Sequence, residues 1–358
     1  MDHMTIAKML DTYRPQLVAR TVALVSLNPF WVERFGEGFS ERMALDADAN
    51  LAALAKSIRY RSPMMIDDHV RWRRNQIIGF GCATGHVREI FSYKWTAATE
   101  IMPAESHPII YEYIQSSMQA LAYPMQVAQD LAAGHEALAA SLTAVCFDTN
   151  WHWQAAYGVD GRPQVMSDCW FLIDYAIDTI GQNNPDIVGK YVRQWRNTLQ
   201  RRGLSTVHIQ QAIWLATEQA QQQLSPKAAS ELRRVLDQAA TYVLPNREST
   251  QALLAAQDQI VYEVATYLSS VGLAPQPEYA AMEIGWYLAY LNDGVEQADP
   301  SGLQNYTRWM QHWFASQGLP DTPLRQSYAA IEGTLERYLP QYAANDARAV
   351  LQASQRMM

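Results

Sequence analysis

One pattern of aromatic residues, prolines and glycines recurs twice more along the chain, and a chain written this way is built by repetition. Trp31, Gly36, Asp46, Pro63, Arg71 and Gly81 are matched 122 residues on (63 to 185) by Trp153, Gly158, Asp168, Pro185, Arg193 and Gly203. A further step of 115 (185 to 300) carries Pro185, Tyr191, Arg193 and Gly203 onto Pro300, Tyr306, Arg308 and Gly318. Fixed-period self-similarity marks copies of one supersecondary unit. Residues shared by the copies therefore report on architecture, and departures are where function is sought. The repeat covers residues 17 to 354 and divides the 358-residue chain into modules at 1–130, 131–249 and 250–358, each of ordinary domain size.

Each module reads as four to five helices. Ser62-Pro63, Asn184-Pro185 and Asp299-Pro300 are helix starts: the first residue of each pair is a good N-cap, and proline is tolerated where its missing N–H had no partner. The helices that follow are amphipathic, with Val188, Tyr191, Trp195 and Leu199 in one copy and Leu303, Tyr306, Met310 and Phe314 in another at three- and four-residue spacing. Gly81, Gly203 and Gly318 close them, since glycine accepts the left-handed C-terminal cap. Thr84, Thr206 and Asp321 are then expected to cap the next helix. Strand alternation bounded by hairpin turns is absent. The expected fold is all-α, in three tandem homologous helical bundles.

Composition narrows the function. Hydrophobic residues make up 49% and charged residues 18%, which is globular rather than disordered. A net charge of −8 argues against nucleic acid and against an anionic membrane surface. Cys82, Cys146 and Cys169 form no CxxC pair, so neither a disulfide framework nor a zinc site is expected. No secretory leader and no apolar run of membrane-spanning length is read. The expectation is a soluble, cytoplasmic protein whose partner is a protein, a small molecule or a second copy of itself.

The acids and arginines kept in all copies, Asp46 with Arg71, Asp168 with Arg193 and Glu283 with Arg308, are expected to form structural ion pairs. The candidates for binding a ligand are His69, Trp72, His86, His152 and Trp153. His69 stands where the other copies have Tyr191 and Tyr306, and Pro323 replaces His86 and His208 in the third. No two histidines have the spacing of metal ligands on one helical face. Asp67-Asp68, with Asn292-Asp293, suggests a degenerate form of the magnesium site of class I terpene cyclases. The third acid is missing there, and Pro300 stands where the distal glutamate belongs. Dinucleotide, P-loop and nucleophile-elbow motifs are absent.

The run Leu303, Tyr306, Arg308, Trp309 to Gly318-Leu319 follows Asp299-Pro300, and Asn28-Pro29-Phe30-Trp31 precedes Arg34-Phe35-Gly36. In these motifs the chain resembles helical modules attached to bacterial sensory and cobalamin-binding regulators. The resemblance implies a helical regulatory module and carries over no catalytic residue, and the DxHxxG segment of cobalamin binding is not present. No cofactor is assigned. The leading expectation is a non-enzymatic sensory or protein-interaction scaffold. The alternatives are a sensor for an aromatic or tetrapyrrole molecule, with haem drawing an axial ligand from His69 or His86, and an isoprenoid-diphosphate enzyme using Asp67 and Asp68.

Overall fold

The computed structural model describes the chain apart from Pro275 and the side chains of Pro29, Glu33 and Arg34. Pro29 and Arg34 of the regulator-like motif thus lie outside the described side chains. The described residues form seventeen α-helices and no strand. The first six are α1 (His3–Val25), α2 (Pro29–Phe35), α3 (Phe39–Arg59), α4 (Pro63–Gly79), α5 (Thr84–Ile101) and α6 (His107–Ala120). Next come α7 (Gln126–Thr143), α8 (Trp151–Tyr157), α9 (Arg162–Gln182), α10 (Asp186–Arg201), α11 (Thr206–Gln223) and α12 (Pro226–Ala240). The last are α13 (Glu248–Ser270), α14 (Pro277–Gln297), α15 (Ser301–Ser316), α16 (Thr322–Tyr338) and α17 (Gln341–Gln355). None is long and apolar enough to cross a membrane, among the described residues.

The chain divides into two compact units. The first comprises residues 1–136, 170–188 and 224–232; the second comprises 137–169, 189–223 and 233–358. In the first, α1 lies along α3 and α5, and α4 lies along α6. Leu17, Leu54, Ile58, Val70 and Ile90 form its centre. In the second, α13 is the central helix, packed on α14, α16 and α17. Ile260, Ile284, Leu288, Tyr328 and Leu335 are buried there.

The local signals act as the residue chemistry requires. Asn184 Oδ1 accepts from the Asp186 N–H at 3.1 Å, and Asp299 Oδ1 from the Ser301 N–H at 3.0 Å. Ser62 is an N-cap without a side-chain bond. Gly81 and Gly203 take φ of 78° and 89°, which let the Cys82 and Leu204 N–H groups reach back to Ile77 and Leu199 at 3.0 and 2.9 Å. Gly318 does the same with φ 67°.

Thr84 and Thr206 are first helical residues, not caps. Their N–H groups are capped from far along the chain, by Asp178 at 2.6 Å and Asp293 at 2.7 Å. Gly85 adds a bond to Asp174 at 2.5 Å. Carboxylates suit the positive end of a helix. Around each of these caps the same contacts recur. Tyr175 OH donates to the Gly81 carbonyl at 2.8 Å, and Tyr290 OH to the Gly203 carbonyl at 2.7 Å. His86 stacks on Phe171 with ring centres 4.0 Å apart, and His208 on Trp286 at 4.7 Å.

Candidate functional site

The second unit contains an open cavity of about 600 Å³, within the range of small-molecule sites. Its floor is the start of α14, where Ala280, Glu283, Ile284 and Tyr287 succeed one another at helical spacing. Trp309, Met310, Trp313 and Phe314 of α15 form one wall, and Leu268 with Leu273 and Ala274 form another. Leu319, Pro323 and Ser327 close the side at the start of α16. Trp151 of α8 completes the wall by stacking on Trp309, with ring centres 3.8 Å apart and planes 12° from parallel. Tyr279, Trp313, Leu319 and Trp151 are exposed at the mouth.

One carboxyl faces this apolar space. Among the described residues of the wall, Glu283 is the sole ionisable carboxylate, and no Lys, Arg or His is present. Burial pushes its carboxyl above the ordinary range, and hydrogen bonds from Tyr287 and Tyr306 draw it part of the way back. The Tyr306 bond is long at 3.4 Å. The phenols of both tyrosines are driven up mainly by burial and stay protonated donors.

A second aromatic cluster lies elsewhere in the same unit. The short helix α8 lowers Trp153, 1% exposed, between Trp195 and His208 at ring-centre distances of 6.1 and 6.5 Å. One turn later Tyr157 donates its phenol hydrogen to Asp168, whose carboxyl burial raises. In the first unit α2 buries Trp31 against His86 at 5.3 Å. Its indole N–H donates to Glu89 at 3.2 Å.

No family model, curated protein or solved structure matches the chain. Its function is therefore read from its own geometry.

The expected ion pairs do not form. Asp46 pairs with Arg73, and Arg71 with Asp68 on the surface at 3.0 Å. Asp168 is held by Tyr157 and Glu283 by tyrosines, while Arg193 lies over the Tyr242 ring at 5.4 Å and Arg308 bonds Asn305 at 3.1 Å. The reason is helical phase. The buried stripe of α10 runs through Tyr191, Val192 and Trp195, and Arg193 falls on the opposite face. Arg71 and Arg308 share that exposed phase.

The histidines are occupied. His69 Nε2 faces Asn50 Oδ1 at 2.8 Å. His86 is enclosed between Phe30 and Phe171, with Nδ1 accepting the Ala83 N–H at 3.0 Å. Each ring thus has one nitrogen engaged within the fold. His152 lies on Trp286 at 4.3 Å, and burial drops its pKa to about 3, so it is neutral. Trp72 is exposed beside His69. Asp67 accepts from Ser116 at 2.9 Å and Asp293 caps α11. No group of three or more His, Cys, Asp or Glu suited to a metal occurs among the described residues.

Two features escaped the sequence reading. Trp309 entered only as part of the regulator-like motif, and Trp313 was not singled out. Lys94 went unremarked, although it interrupts the apolar stripe Ile90, Phe91, Ala97 and Ala98. It is 1% exposed, its Nζ has no hydrogen-bond partner, and it sits 4.3 Å from the Phe91 ring centre. Burial lowers its pKa to about 7, with Asp46 opposing and Arg73 adding to the fall.

Proposed function

We propose that the chain consists of three tandem helical modules, and that the third binds a small apolar aromatic molecule in the cavity around Glu283. The helix boundaries support the repeat. From α7 to α13 the starts are 122 apart (126 to 248), and from α9 to α14 they are 115 apart (162 to 277). The difference of seven residues falls between those helices, where the second module has seven-residue α8 and the third passes from Ser270 to Pro277 without a short helix among the described residues. By the same offset Asp168, Trp195 and His208 correspond to Glu283, Met310 and Pro323. These three line the cavity.

The single observation that carries the reading is this correspondence. The seat that α8 fills with Trp153 and Tyr157 in the second module is open in the third. Pro323 stands in the third module where the others carry His86 and His208. The function supported is binding, with the other modules as scaffold.

Isothermal titration with 3-ethylindole, an uncharged aromatic probe, tests it. One site is expected on the native chain. Met310→Trp, which places in the cavity the side chain that the second module carries as Trp195, is expected to weaken binding at least tenfold. Absence of binding to the native chain, or equal binding by the variant, would contradict the reading.

A further inference from the structure

We infer that the molecule seated in this cavity is an organic cation, an aromatic ring joined by a short chain to a protonated amine, with the ammonium on Glu283. The inference rests on the proposal that the cavity binds a small aromatic molecule, and it adds the polar end.

The chain's own second module shows what such a seat accepts. There an indole, Trp153, fills the apolar part, and a hydrogen-bond donor, the Tyr157 hydroxyl, meets the carboxylate of Asp168. The aromatic ring and the donor arrive together on one short helix. In the third module the acid is kept, as Glu283, and both of those groups are missing. A ligand that restores the arrangement carries a ring and a donor a few bonds apart.

Charge selects the cation among possible donors. A carboxylate accepts at about four lone-pair positions. Glu283 receives Tyr306 at a long 3.4 Å and a bond from Tyr287, which leaves acceptor capacity facing the cavity. The described wall holds no positive side chain, so an ammonium supplies the missing counter-charge in a space where charge pairing is weakly screened. An anionic ligand would place a second negative charge against Glu283. The indole faces of Trp309 and Trp313 border the same space, and aromatic faces attract cations.

Four probes of one shape separate the possibilities: tryptamine (cation), tryptophol (neutral donor), 3-ethylindole (no polar end) and indole-3-propionate (anion). Each is titrated against the native chain and Glu283→Gln, which keeps the shape and an acceptor but removes the charge. Tryptamine is expected to bind at least tenfold more tightly than 3-ethylindole, with indole-3-propionate weakest. Glu283→Gln is expected to erase the tryptamine advantage over 3-ethylindole. If all four bind alike, if tryptophol matches tryptamine, or if the tryptamine advantage survives Glu283→Gln, the inference is overturned while the aromatic cavity stands. If none binds, the cavity reading itself falls, and this inference with it.

Discussion

Burial of Lys94 runs against the rest of the first unit's core. The unfolded side chain titrates at its ordinary 10.5 and the native one at about 7. Below pH 7 both states carry the proton, so the desolvation penalty is present in full. Between pH 7 and 10.5 the unfolded chain holds the extra proton, and stability rises with pH. Lys94→Met removes the penalty, and Asp46 keeps Arg73 as its partner. We expect the variant to be more stable by about 1–4 kcal/mol at pH 7. The gain should shrink at pH 10, as measured by urea unfolding at both values; a loss of stability at pH 7 would contradict this account of the site. Asp178 behaves in the opposite sense. Its native carboxyl is pushed up to about 7, chiefly by burial and by neighbouring Asp174, against 3.8 when unfolded. The native state therefore holds the extra proton from about pH 4 to 7, and stability is lost as pH rises through that window. Buried His135, His152 and His208, with native values of about 4, 3 and 3, pull the other way over part of it, so the comparison is with a variant. Asp178→Asn keeps an acceptor for the Thr84 N–H and should be stabilised relative to the native chain by on the order of 2 kcal/mol more at pH 8 than at pH 5. A native-minus-variant difference that is flat with pH would contradict the raised carboxyl.

Helix limits were the most legible feature of this chain, because the residues that set them act locally. Asn184, Asp299, Gly81, Gly203 and Gly318 do what their side chains or their lack of one dictate. The acids that cap α5 and α11 were not legible: Asp178 lies 94 residues from Thr84, and Asp293 lies 87 from Thr206. The ion pairs were misassigned because shared identity was read without helical phase, which places Arg71, Arg193 and Arg308 outward. The vacant seat was legible in part. The change of period from 122 to 115 was visible in the sequence, and the helix boundaries add that α8 is itself seven residues long, the length the proposed repeat lacks in its third copy. That helix has measurable weight where it is present. Trp153→Ala empties its seat and should cost about 3–5 kcal/mol, read from the urea midpoint at unchanged slope. A cost below about 1 kcal/mol would mean that α8 is not the plug described here.

At the scale of the whole molecule, repetition and charge act together. The proposed repeat can drop an element in its third copy because the core of the second unit around α13 and α16 closes without one. The net charge of −8 favours approach of a cation and disfavours an anion. Association of tryptamine is therefore expected to slow as salt rises from about 20 to 200 mM, as stopped-flow tryptophan fluorescence would report, because screening shortens the reach of that field. A salt-independent rate would show that steering plays no part. The central claim is that the third module holds a ligand where the second holds Trp153 and Tyr157. A crystal structure of the chain grown with tryptamine tests it most directly. The account predicts an indole ring between Met310, Trp313 and Pro323, with the ammonium within hydrogen-bonding distance of Glu283. Tryptamine bound elsewhere, or a cavity closed by collapse of Trp313 and Tyr279 into it, would contradict the claim.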